Sequence, residues 1–177
     1  MVRRIAIAAA VVAAMTTGAL AQTTKGLQAE LVAQIKDAEE KLVALAETMT
    51  QEQYSWRPME GVRSVGEVYM HAAVGNLSIP GMIGVEPPMK IERGMEKSVT
   101  EKAKIVEMLK MSFRHVEDAV SKVPDADLGK ATKIFGQDGT YRGVLLLLAT
   151  HAHEHLGQSI AYARMNKVVP PWSKGGM

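Results

Sequence analysis

Three of the chain's five histidines fall within the stretch His151-Ala-His-Glu-His155-Leu-Gly-Gln158. His151 and His155 are four residues apart in a segment that otherwise reads as a long apolar helix. At 3.6 residues per turn they sit about 40° apart around the axis and roughly 6 Å apart along it. Two imidazoles on adjacent turns of one face can grip a single metal ion. A metal site is therefore the leading chemistry, against the blander reading of a solvated histidine patch; Leu147, Leu148 and Ile160 argue that the face is partly buried. His153 projects about 160° away from both neighbours. It cannot join the same ion from a straight helix and is read as an exposed or second-interface histidine.

His71 lies among Val68, Val74 and Leu77 at helical spacing. Alone, such a residue is more often a hydrogen-bonded core histidine. Facing a histidine pair on another helix it becomes a third ligand, because bundles build metal sites from facing helices. His71, His151 and His155 are thus the candidate metal ligands, and His115, beside Met111, is read as structural.

Other metal and nucleophile chemistries are not encoded. A zinc-protease helix needs His-Glu-x-x-His, and residue 152 is Ala. Di-iron bundles need Glu-x-x-His, and the residues three before the histidines are Val68, Ser112, Leu148, Thr150 and Ala152. With no cysteine, c-type haem attachment, thiolate ligands and disulfides are excluded. There is no Gly-rich phosphate loop or nucleophile elbow, and no residue is placed as general acid or base. Glu67, one turn before His71, and Gln158, three after His155, are candidates to orient imidazoles, with a capping role favoured for Glu67.

Four amphipathic segments must position these residues. The first runs from about Lys25 to Met49, with Leu27, Leu31, Ile35, Ala38, Leu42, Leu45 and Met49 forming one stripe. Gln51 to Pro58 is a loop, since Pro58 biases Arg57 against helix. The second helix starts at the capping box Ser64-Val-Gly-Glu67 and ends before Pro80-Gly81. Gly81 to Gly94 reads as loop. There Met82, Met89 and Met95 either pack the connection, the favoured reading, or line a substrate entrance.

A second capping box, Ser98-Val-Thr-Glu101, is expected to open the third helix, with Ile105, Leu109, Ser112, Val116 and Val120 inside and Pro124 closing it. Lys130 to Asp138 has little helical pattern and reads as an extended excursion. The turn signal Asp138-Gly139 precedes the fourth helix, from Thr140 to an Asn166 cap. It carries Val144, Leu145, Leu147, Leu148, the histidines, Ile160, Tyr162 and Met165. With no convincing strand pair, the fold expected is all-α, a four-helix bundle, its long second connection a candidate crossover.

Ahead of the bundle, Arg3 and Arg4, an apolar run from Ile5 to Met15, and Ala19-Leu20-Ala21 have the order of parts of a cleavable secretory signal peptide. The run is short for a membrane span, which needs ~20 residues, so no stable membrane anchor is expected after cleavage. The expected division is a signal peptide over 1–21 and one domain over 22–177, periplasmic or secreted. Loss of Arg3 and Arg4 brings the basic residues level with the 19 acidic ones, and no basic stripe argues for nucleic acid. Twelve methionines against two phenylalanines suggest an adaptable core, and a homodimer is an open expectation.

The chain resembles the DinB/YfiT-like superfamily of metal-binding four-helix bundles. The likeness rests on Trp56-Arg-Pro58 followed by Ser64 and His71, on His151-x-x-x-His155-x-Gly157-Gln158, and on Tyr162-x-Arg164 before Pro170-Pro171. It spans nearly all of residues 22–177. It implies a divalent cation, commonly zinc or nickel, held by His71, His151 and His155, with the remaining positions open to water or a small-molecule substrate. Some members of the superfamily transfer low-molecular-weight thiols. The export signal departs from most of the family, and the usual thiol cofactors are cytosolic, which weakens that reading here.

An open three-histidine site can bring the pKa of bound water to roughly 7 or hold a thiol as thiolate. The first reading is therefore a metal-dependent hydrolase or a thiol or group transferase. A non-catalytic protein that stores or senses a metal or small ligand is the alternative. A bundle whose histidines only pack is the third.

Overall fold

The computed structural model describes residues 26–173. The expected signal peptide, its cleavage site and Lys25 lie outside them. Among the described residues no helix is long and apolar enough to cross a membrane.

The chain is mainly helical, and four long helices supply its core. Helix α1 is Leu27–Thr48, α2 Val65–Ser78, α4 Lys102–Ser121 and α5 Tyr141–Met165; a short α3, Met95–Ser98, lies in the second connection. α1 packs on α4 and α5, and α2 packs on the same two helices. The order around the bundle is therefore α1, α4, α2, α5. The long second connection joins neighbours rather than crossing the bundle, while the first and third connections span its diagonals.

The expected stripes face inward. Ile35, Ala38, Leu42 and Leu45 of α1 are fully buried, as are Ile105, Leu109, Phe113 and Val116 of α4. Each buried Leu, Ile or Phe contributes about 1.5–3 kcal/mol relative to exposure. Helix α2 is apolar almost all round, with Val65, Val68, Tyr69, Met70, Ala72, Ala73 and Leu77 buried, as suits a helix enclosed on several sides. Met165, the last residue of α5, is exposed. Met95 is buried, and Met82 and Met89 pack half-buried against the core, which favours loop packing over an entrance.

The two capping boxes part company. At Ser64, the backbone N–H donates to Glu67 Oε2 at 2.7 Å and Glu67 N–H donates to Ser64 Oγ at 3.3 Å, so α2 begins where expected. Ser98 instead ends α3, and α4 begins at Lys102 with no side-chain cap from Glu101. Gln51, from the first connection, takes over. Its Oε1 accepts from Lys102 N–H at 2.8 Å and its Nε2 donates to Thr100 O at 3.0 Å. The free donor of a helix start is satisfied from outside the helix, and Glu101 turns to Lys104.

The all-α expectation also gains a correction. Ala131–Ile134 and Gln137–Thr140 form a two-stranded antiparallel hairpin, with Ile134 opposite Gln137. Its turn is Phe135-Gly136, both at positive φ (49° and 86°), the geometry of a two-residue hairpin turn. Asp138-Gly139 is no turn but part of the second strand. Gly139 is required there because a Cβ would meet Ile134 Cγ1 at 2.8 Å. The hairpin is tied down by Thr132 Oγ1, which donates to Met82 O. Thr140 then caps α5, accepting from Gly143 N–H.

Candidate metal centre

Between α2 and α5 the structure brings together His71, His151 and His155. One ring nitrogen from each lies within 4.8 Å of the others, and the ring centroids are 4.5–5.5 Å apart. His155 is buried, and His71 and His151 are half-buried. Nitrogens bound tetrahedrally at 2.0–2.1 Å would lie about 3.4 Å apart. The Nε2 atoms of His151 and His155 are already 3.2 Å apart, close to that separation.

The hydrogen bonds decide which nitrogens are free. His71 Nδ1 lies 2.7 Å from Glu96 Oε1. His155 Nδ1 lies 3.0 Å from Gln158 Oε1. A carboxylate and an amide oxygen only accept, so each Nδ1 donates, and Nε2 is the nitrogen not engaged by that outer partner. Burial, then the neighbouring His155 and His71, push His151 down to about 4. Burial likewise lowers His155, with Gln158 opposing. Ring nitrogens converging on one point, two of the rings with the outer partner that metal-bound imidazoles usually have, fit a divalent cation.

His151 is held differently. Its Nδ1 is buried with no hydrogen-bond partner, and its ring packs closely against Gly75 on α2. A Cβ at residue 75 would overlap His151 Cε1 and come within 2.9 Å of its Nε2. A glycine inside a helix costs about 1 kcal/mol relative to alanine; here it lets α5 bring its first histidine against α2.

The rim is built by the motif around Trp56. Val65 N–H donates to Trp56 O at 2.9 Å, and Arg57 bonds Val62 O and pairs with Glu67. These contacts close a loop that presents Arg63. Trp56 stands edge-on to Tyr162, with centroids 5.4 Å apart. Tyr162 Oη receives Gln158 Nε2 and donates to Arg63 O, both at 3.3 Å. Arg63 Nε bonds Glu96 Oε2 at 3.1 Å. Burial raises the Glu96 pKa, but hydrogen bonds from His71 and Arg63 outweigh it and hold the carboxyl below its usual range. A cleft of about 500 Å³ opens here, lined by Gly61, Val62, Arg63, Lys97, Glu96 and Gln158. Both groups that orient the imidazoles face this space.

Gln158 orients His155, as its spacing suggested, and Glu67 is a cap rather than a partner of His71. Glu96, Arg63 and Gly75 escaped the sequence reading. Glu96 lies on a four-residue helix in a stretch without pattern. Gly75 left one signal, a glycine in the middle of an otherwise strong helix. His153 turns back on its own helix, Nδ1 3.0 Å from Ala149 O. His115 stands apart on α4, where burial lowers its pKa.

Comparison with known proteins agrees with this architecture. The profile of the DinB superfamily matches residues 34–159. A crystal structure of a DinB-like protein from Bacillus cereus ATCC 10987 superposes with a TM-score of 0.69 at 20% identity, covering 80% of this chain and 93% of that one. The DinB-like protein YjoA of Bacillus subtilis gives 0.63 at 19% identity, covering 84% and 99%. No curated protein matches. At such identities the structures speak for the fold, and the profile for the lineage: the chain belongs to the DinB superfamily, a metal-binding superfamily.

Proposed function

We propose that the protein is an exported enzyme that uses a divalent cation, zinc or nickel, held by His71, His151 and His155, to hydrolyse a small molecule or to transfer a thiol or other group to it. The observation that carries this reading is the convergence of three ring nitrogens from two helices within 4.8 Å. Such an ion supplies Lewis acidity, polarising a bound oxygen or lowering the pKa of a bound water or thiol.

The chain's own residues do the rest. His155 and His151 present unprotonated nitrogens at neutral pH because burial disfavours their charge. Glu96 and Gln158 fix the ring tautomers of His71 and His155. The His71 side chain is 26% exposed, and a cleft borders its partner Glu96 and the His155 partner Gln158. That open side favours an enzyme over a protein that stores an enclosed ion.

Elemental analysis of purified protein, equilibrated with zinc and nickel, tests the centre. A stoichiometric ion is expected in the native protein and none in His155→Ala, whose helical circular dichroism stays native. A native protein that takes up no ion overturns the reading. Turnover that survives complete chelation overturns the metal-dependent reaction, and an ion with no exchangeable ligand position points to storage instead.

A further inference from the structure

The two histidines that come from different helices are joined by more than their shared centre. From His71 Nδ1 the path runs to Glu96 Oε1 (2.7 Å), and from Glu96 Oε2 to Arg63 Nε (3.1 Å). From the Arg63 carbonyl it passes to the Tyr162 hydroxyl (3.3 Å), from that hydroxyl to Gln158 Nε2 (3.3 Å), and from Gln158 Oε1 to His155 Nδ1 (3.0 Å). Every link has a donor facing an acceptor. The hydroxyl donates once and accepts once, the carboxylate uses both oxygens, and the amide uses both ends.

We propose that this arc is the device that sets the centre's geometry, with Glu96, Arg63 and Tyr162 acting as positioning residues for His71 and His155. The need is physical. His155 and Gln158 share a helix, so their relation is fixed by α5 alone. His71 is the single ligand on α2, and its side chain is 26% exposed. Its partner Glu96 sits on α3, which is anchored by the buried Met95 and packs on α2 rather than on α5. Arg63 and Tyr162 tie it to α5. The other Glu96 oxygen pairs with the Arg63 guanidinium at 3.1 Å, and a carboxylate acceptor makes a charge-assisted bond roughly twice as strong as a neutral one. The carboxylate makes the imidazole a better donor to a cation, an effect whose removal typically costs 10–100-fold in metal affinity.

This rests on the metal reading, so the test must separate the two. Zinc affinity is measured by competition with a chromophoric chelator on the full chain and on Glu96→Gln, Tyr162→Phe and the double variant. Glu96→Gln keeps shape and a hydrogen bond while removing the charge; Tyr162→Phe deletes two links without touching a ligand's partner at Glu96. Glu96→Gln is expected to weaken zinc binding by roughly 10-fold or more, with Tyr162→Phe weaker in the same direction. The double variant should lose less than the product of the singles, because residues of one hydrogen-bonded network are not additive.

The melting temperature of the chelated protein serves as control, since a merely structural role would lower it and leave zinc affinity untouched. A native chain that binds no zinc overturns both readings. Native binding with both single variants within twofold overturns the arc alone. Independent, multiplicative losses overturn the coupling between its two ends.

Discussion

Like groups are crowded together at two places in this bundle, and they behave in opposite ways. Between α2 and α5 three imidazoles meet, and burial disfavours the charge of the two on α5: His151 falls to about 4 and His155 moves in the same direction. Between α1 and α4 two carboxyls meet, and burial together with Glu117 drives Glu39 up to about 7. The carboxyl seam brings its own cations. Lys36 pairs with Glu117 at 3.4 Å, and Arg114 opposes the rise at Glu39. The histidine cluster brings none that touch its Nε2 atoms. Two of its outer nitrogens are satisfied by Glu96 and Gln158, and the inner ones are left facing each other. Crowding that is neutralised from within is packing; crowding that leaves lone pairs aimed at one point calls for a cation.

The largest effect that would break this contrast comes from Gly75. Gly75→Ala should raise helix propensity by about 1 kcal/mol. The added Cβ overlaps the His151 ring, and overpacking of this kind costs typically about 1–3 kcal/mol unless the ring moves. Because the ring has no hydrogen bond at Nδ1 to hold it, it is expected to move. The protein then stays folded while zinc affinity falls by more than the roughly 10–100-fold loss of an outer partner. Calorimetric titration with zinc reads this directly, and unchanged affinity would show that His151 is no ligand.

That residue also marks the boundary of what the sequence disclosed. Helical periodicity placed α1, α2, α4 and α5, because each buries one stripe or, for α2, nearly every face. Spacing alone paired His151 with His155. The addition of His71 needed only the rule that bundles face their ligands inward, and Gln158 followed from its place one turn on. What stayed hidden depends on partners distant in sequence. Ser98 and Glu101 match a capping motif as well as Ser64 and Glu67 do, yet Gln51 had already satisfied the donor at Lys102. The hairpin escaped notice because its strands are four residues long, mostly polar, and turn at Phe135-Gly136 rather than at the more obvious Asp138-Gly139. Glu96 is one acid among many until the second connection folds it against His71.

A smaller effect is expected from acid in the chelated protein. The His151 pKa is lowered in the fold from the ordinary 6.5 to about 4. The unfolded chain therefore takes up a proton in that window while the folded one does not. Stability is full above pH 6.5 and is lost as pH falls towards 4, by at most about 3 kcal/mol. Melting temperatures between pH 7.5 and 4 should show this slope, and His151→Gln should flatten it. A slope identical in the two proteins would assign it elsewhere.

The smallest effect tests the other side of the comparison and has the opposite sign. Glu39 is raised from 4.5 to about 7, so in the fold it holds a proton that the unfolded chain has already released. Its contribution is complete below pH 4.5 and is lost as pH rises through 7. Glu39→Gln removes the ionisation and should stabilise the protein at pH 8, by under about 1 kcal/mol once screening at this half-exposed seam is counted. At pH 4 the substitution should change little, since both side chains are then neutral. Chemical denaturation at the two pH values measures the difference. A gain of equal size at both would mean that the amide packs better than the acid, and that the two carboxyls do not oppose each other at all.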